Sequence, residues 1–170
     1  MRKTRCCVWV LAILSVGVSA TARAEDISGV ISATRTVTED SQLVGDVTCT
    51  VAGAACIAVA ASGITLNLNG FSMTGLGDAV TGCSGANNTL VESGIDVGNQ
   101  RGVVIRGPGV IQRFRSSGIR INMSTRVLVT EVTASTNCMA GIWVIGGSDH
   151  EIESNIAVRN GNTTIPCGGI

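Results

Sequence analysis

Gly94-Ile95-Asp96-Val97, Gly118-Ile119-Arg120-Ile121 and Gly141-Ile142-Trp143-Val144 are one phrase written three times, and Gly169-Ile170 opens it a fourth. The glycines stand 24, 23 and 28 residues apart. A period in the twenties belongs to chains built of stacked coils, each of which can bury its apolar face only against the next. Aligned on the glycine, the first three copies give columns Ile95, Ile119, Ile142; Val97, Ile121, Val144; Val103, Val127, His150; and Ile105, Val129, Ile152. Two further columns are Pro108, Val132, Asn155 and Val110, Ala134, Ala157.

Apolar residues two apart in short runs have the strand period, with one face turned inward. Each copy reads as three short strands, Gly-Ile-Arg-Ile, Val-Leu-Val and Val-Thr-Ala in the middle one, separated by turn-forming Gly, Asn, Ser and Thr. The expected fold is all-β: a single-stranded parallel β-helix of about four to five rungs, successive rungs roughly 4.8 Å apart. Like residues then stack on like, so Ile95, Ile119 and Ile142 should form one internal column. A leucine-rich repeat is excluded because the core positions carry Ile and Val. A left-handed hexapeptide helix is excluded because no six-residue period is present.

Working back from Gly94, the stretch Ile64 to Gly75 aligns with the second and third strands of the later copies. This alignment sets Leu66 against Val103, Leu68 against Ile105, Phe71 against Pro108 and Met73 against Val110, with Asn69-Gly70 at the corner. Between Gly75 and Ser93 lies a Gly-, Asn- and Ser-rich insertion, either a loop carrying what is particular to this chain or a tolerated long turn. Residues 25–62 read as a lead-in, with strands at Val44–Cys49 and Ile57–Ala60. The repeats are expected over 63–170, incomplete at the C-terminus, where Gly169-Ile170 opens a copy and stops. An open last rung exposes unpaired backbone and apolar surface, so a longer chain or self-association through that rung is expected to cover it.

Residues 1–24 stand apart. Arg2, Lys3 and Arg5 form a positive n-region, Val8–Val18 an apolar h-region, and Ala22-Arg23-Ala24 a cleavage site. These predict a secretory signal peptide and an exported protein, periplasmic or extracellular. The apolar run is short for a bilayer span, so no stable membrane insertion is expected after cleavage. The segment holds four of the twelve basic residues and no acidic one, leaving eight Arg against twelve Asp and Glu, a net charge of about −4. Such a chain is a poor partner for nucleic acid or an anionic membrane surface.

The stretch VTCTVAGAACIAVAASGITLNLNGFSMTG (residues 47–75), followed by the Gly-Ile rungs, resembles secreted bacterial right-handed parallel β-helix proteins of the pectin-lyase-like superfamily. Their repeats are of the kind in NosD-type periplasmic proteins, and the resemblance covers roughly residues 44–170. It implies a right-handed coil and polysaccharide as the partner class. Among cofactors it implies Ca²⁺ at most, and the residues themselves point to none. The family's enzyme motifs are not matched: there is no Asn-Thr-Asp, paired Asp-Asp or Gly-His-Gly, and no cluster of several Asp with an Arg on adjacent rungs. Copper handling would need many Met and His, whereas Met73, Met123 and Met139 are scattered and Met73 falls at a core position.

Five cysteines remain beyond residue 24. Cys138 and Cys167 each sit just ahead of a Gly-Ile start on neighbouring rungs, a separation compatible with the Cα spacing of roughly 4.4–6.8 Å that a disulfide needs. Cys138–Cys167 is the expected bridge, Cys49–Cys56 the second, and Cys83 is left over. No Cys-x-x-Cys or Cys/His spacing supports zinc.

Family enzymes carry their sites on outward residues of one sheet face. Here the outward position between the first two core columns holds Asp96, Arg120 and Trp143. A carboxylate, a guanidinium and an indole in one column suit an acidic sugar, although an ordinary ion pair beside a covering tryptophan has the same pattern. Asp149, His150, Glu151 and Glu153 form a second cluster, suited to acid–base work or calcium, or simply a solvated edge near Arg106 and Arg126. The expected role is binding or processing of extracellular or cell-envelope polysaccharide. If the chain is catalytic, lyase chemistry would use Arg120 as base with Asp96 beside it. A non-catalytic, adhesin-like scaffold and a truncated remnant of a longer β-helix protein are the alternatives.

Overall fold

The computed structural model describes residues 24–77, 83, 91–161 and 169. The expected signal peptide apart from Ala24, most of the 75–93 insertion, Cys167 and Ile170 lie outside them. Among the described residues every regular element is a strand and every strand pairing is parallel. In chain order the strands are β1 (Glu25–Ile31), β2 (Arg35–Val37), β3 (Ser41–Cys49), β4 (Ile57–Val59), β5 (Thr65–Asn67), β6 (Ser72–Thr74) and β7 (Ile95–Gly98). They continue as β8 (Val104–Gln112), β9 (Ile119–Thr125), β10 (Leu128–Ser135), β11 (Ile142–Ser148), β12 (Glu151–Glu153) and β13 (Ile156–Val158).

Two sheets result. A five-stranded sheet runs β2-β4-β7-β9-β11, collecting the Gly-Ile strands. An eight-stranded sheet runs β1-β3-β5-β8-β10-β12, with β6 between β3 and β8 and β13 beside β10. Strands β3, β8 and β10 each bend and serve two partners, one along each half. The bend of β10 falls at Glu131, in the left-handed region (φ 59°), and Ser154 (φ 55°) takes the same place between β12 and β13.

The register reproduces the sequence columns where the copies are alike. Ile57, Ile95, Ile119 and Ile142 lie opposite one another and all are buried. Ile105, Val129 and Ile152 stack on the other sheet. Val97 and Ile121 are fully buried as expected, but Val144 is 38 % exposed, because β11 is the outer strand of its sheet and only one side of it is paired among the described residues.

Two expected registers are corrected. Thr65 lies opposite Val104 and Leu66 opposite Ile105, so Leu66 is not level with Val103. The slip is by two residues, which preserves the inward face, and Leu66 and Leu68 are still fully buried. In the third strand, Val132 faces Gly109 rather than Pro108, and both Ala134 and Met73 face Ile111 rather than Val110. The cause is one extra residue at the corner of β8: Gly107 and Pro108 together occupy the place of Glu131. That insertion turns Val110 outward and Ile111 into the core. Gly109 is then required, since a Cβ there would lie within 3 Å of both the Leu68 side chain and the Phe71 carbonyl oxygen.

The cysteine pairing is also corrected. Cys49 is bonded to Cys56, as expected, but Cys138 is bonded to Cys83, with Cα atoms 5.7 Å apart, and not to Cys167. Cys83 is thereby tied to the corner just before β11, a pairing that no count of spacings along the chain reveals. Two disulfides fit an oxidising, exported setting.

Candidate functional site

Parallel register decides which outward side chains become neighbours. On the five-stranded sheet, Thr36, Ala58, Asp96, Arg120 and Trp143 occupy one line across β2, β4, β7, β9 and β11. The three residues singled out in the sequence are therefore consecutive, each about 4.8 Å from the next at the backbone. Arg120 donates from Nε to Asp96 Oδ1 at 2.7 Å and from Nη2 to Asp96 Oδ2 at 3.0 Å. This is the two-pronged fork that a planar guanidinium makes with a carboxylate. Both side chains are largely shielded, at 14 % and 20 % exposure, and Trp143 beside them is half-buried.

The fork bears on chemistry. A guanidinium is not deprotonated in proteins, and here its donors are turned onto the Asp96 carboxylate. Such a group orients and neutralises; it does not abstract protons. The arrangement sets an ion pair and an indole-bearing residue side by side on one face of a parallel sheet.

The second sequence cluster does not converge. Glu151 and Glu153 lie opposite Leu128 and Thr130, exposed, as the alternation implied. His150 is half-buried and turned to the backbone: its Nδ1 accepts the Val127 N–H at 3.3 Å, and its Nε2 has no partner among the described residues. Among the described residues no three of His, Cys, Asp or Glu come together in a way that would hold a metal ion. Met73 lies in the core, Met139 is buried, and Met123 is exposed.

Glu92 went unremarked in the sequence. It is 4 % exposed, accepts the Gly53 N–H at 2.6 Å and pairs with Arg115 at 3.3 Å. It clamps the loop after β3 to the repeat region. A single Glu at the edge of a polar insertion carries no sequence signal of such a role. Asn137 and Asn160 were missed too, although both precede a copy start at a 23-residue interval. No protein-family model, no curated protein and no solved structure matches the chain.

Proposed function

We propose that the chain is an exported, right-handed parallel β-helix that binds extracellular or cell-envelope polysaccharide on the face of β7, β9 and β11. The coil accounts for three features at once: parallel pairing throughout, return to the same sheet after 24 and then 23 residues, and inward stacking of like residues. The observation that carries the binding reading is the uninterrupted line Asp96, Arg120, Trp143. Aromatic faces pack on the apolar face of a sugar ring, and the polar atoms of the ion pair meet its hydroxyls. Lyase catalysis through Arg120 is not part of the proposal, because its guanidinium is held by Asp96.

The test is titration of the protein with oligogalacturonides while following tryptophan emission, with Trp143→Phe as reference so that any signal from Trp9 cancels. A saturable change that disappears in Trp143→Phe is the expected result. No difference between the two proteins across acidic and neutral glycans would refute binding on this face. The scaffold reading would then stand, favoured by the mutual neutralisation of Asp96 and Arg120, which leaves the line without net charge.

A further inference from the structure

We infer a second binding site, for a hydroxylated carboxylate such as one uronate unit, in a cleft on the eight-stranded sheet where Arg106 is the carboxylate-binding residue. The cleft is open, about 250 Å³ in volume, and crosses the sheet from the start of β3 over β5 to β8. Its floor is a line of outward positions: Gln42 lies opposite Asn67, and Asn67 opposite Arg106. Asp40 and Thr65 form its wall.

The hydrogen bonds already made determine what remains for a ligand. Gln42 donates from Nε2 to Asp26 Oδ1 at 2.9 Å. A carboxylate only accepts, so this partner fixes which end of the amide is which and leaves Gln42 Oε1 as an unspent acceptor. The Asn69 N–H donates to Asn67 Oδ1 at 3.0 Å. A backbone N–H only donates, so Asn67 is fixed the opposite way, with Nδ2 left as a donor. Asp40 Oδ1 accepts the Thr65 N–H at 2.8 Å, leaving Oδ2. The Arg106 guanidinium is exposed and makes no hydrogen bond or ion pair to a described residue. It thus differs from Arg120, whose fork is occupied.

Unspent donors therefore lie at one end, on Arg106 and Asn67, and unspent acceptors at the other, on Asp40 and Gln42. Neighbouring strands are about 4.8 Å apart, so the two ends are a sugar ring's width from each other. A ligand must bring acceptors to the first end and donors to the second. A sugar acid does so, its carboxylate meeting the guanidinium fork and its hydroxyls donating to Asp40 and Gln42. Inorganic phosphate offers negative oxygens all round and meets the Asp40 carboxylate with like charge. The volume lies below the roughly 300–1,000 Å³ of sites for drug-sized molecules, which suits a single sugar unit. This site is on a different sheet from Trp143 and does not depend on the polysaccharide reading of that face.

The experiment is calorimetric or NMR titration of the whole protein with D-galacturonate, D-galactose and inorganic phosphate, repeated on Arg106→Gln, Arg106→Lys and Trp143→Phe. The expected result is saturable galacturonate binding, weakened at least tenfold in R106Q and weakened less in R106K, with galactose and phosphate at least tenfold weaker than galacturonate. Equal affinity of R106Q and the parent, equal affinity for galactose and galacturonate, or no galacturonate binding by the parent overturns the inference. Loss in W143F with R106Q unaffected would move the uronate to the Asp96–Trp143 face, supporting that reading while removing this one. Arg106 is exposed at the surface, so its substitution leaves the core packing intact, and circular dichroism of each variant checks that it does.

Discussion

Asn160 accepts at one side-chain oxygen both the backbone N–H and the side-chain N–H of Asn137, each at 3.0 Å. Asn137 in turn accepts the Phe114 N–H at 3.0 Å and donates to the Ile111 carbonyl at 3.2 Å, and it is fully buried. The two amides form a ladder that satisfies backbone groups at a corner where the chain leaves the sheet. Buried corners have no ladder partner of their own, so a side chain that both accepts and donates must stand in.

Replacing Asn137 by Ala orphans the Phe114 N–H and the Ile111 carbonyl together. With about 1–3 kcal/mol for each buried group left unsatisfied, a loss of roughly 2–6 kcal/mol is expected. Chemical denaturation of Asn137→Ala and Asn160→Ala measures it. Asn160 is half-buried, so its variant should lose less; equal and negligible losses would remove the ladder from the stability of the fold.

Peptide mapping of the oxidised protein should recover Cys83 with Cys138 and Cys49 with Cys56. Recovery of Cys138 with Cys167 would reinstate the pairing expected from rung position. The 55-residue separation of Cys83 and Cys138 corresponds to about 4 kcal/mol on a chain-entropy estimate. Cys138→Ser should therefore lower the denaturation midpoint well beyond Cys49→Ser, whose bridge spans a separation of only 7.

How far these features were legible depends on what kind of information each one needs. The Gly-Ile columns are readable because strands paired in parallel register repeat their core residues in phase, and Ile95, Ile119 and Ile142 need nothing else. Leu66 was misplaced by two because a two-residue slip leaves the alternation of inward and outward residues unchanged. Val110 was misplaced by one because the extra residue at Pro108 is absent from the other copies. Cys83 was left over because its partner is decided by where an insertion folds. The Asp96–Arg120–Trp143 line could be read from phase alone. The Arg106 cleft could not, since what distinguishes Arg106 from Arg120 is the absence of a side-chain partner among the described residues, which is a property of space and not of spacing.

Asp46 carries a pH signature. Its carboxylate accepts the Ser72 N–H and the Ser72 hydroxyl, each at 2.9 Å. The backbone bond first and the hydroxyl second hold its pKa below the ordinary value of 3.8. A carboxyl lowered in the folded state adds stability above its unfolded pKa and gives it up as the pH falls through the folded one. The melting temperature of the parent should exceed that of Asp46→Asn by a constant margin above about pH 5, and the margin should close below about pH 4. A margin unchanged down to the acid limit would contradict the linkage.

Arg126 has φ 55°, just before β10, and Gly63 (φ 73°) and Gly102 (φ 66°) stand likewise just ahead of β5 and β8. All three donate their backbone N–H to a backbone carbonyl in a neighbouring segment, Gly63 to Arg101, Gly102 to Thr125 and Arg126 to Ser148. An L-residue in the left-handed region is strained by roughly 1–2 kcal/mol, while glycine loses about 0.5–1 kcal/mol more backbone entropy on folding. The balance favours Arg126→Gly by up to about 1.5 kcal/mol. Thermal unfolding should show no loss, against the usual expectation for glycine in a β-sheet protein. A clear destabilisation would mean that the Arg126 side chain contributes more than its backbone gives away.

The Asp96–Arg120 fork sets up the sharpest test of the proposed glycan face. Asp96→Asn keeps the shape and one acceptor but removes the charge that occupies the guanidinium. A largely shielded pair of this kind lies between surface pairs, worth about 0–1 kcal/mol, and buried ones, whose breaking costs about 3–5 kcal/mol. A stability loss of roughly 1–3 kcal/mol is therefore expected. Binding should move the other way. With the fork released, Arg120 has donors for a uronate carboxylate beside Trp143, so oligogalacturonide affinity read from Trp143 emission should rise severalfold. That rise should shrink with added salt as the new ion pair is screened. Destabilisation with no gain in affinity would show that the fork is only structural, and that sugars do not reach Arg120 on this face.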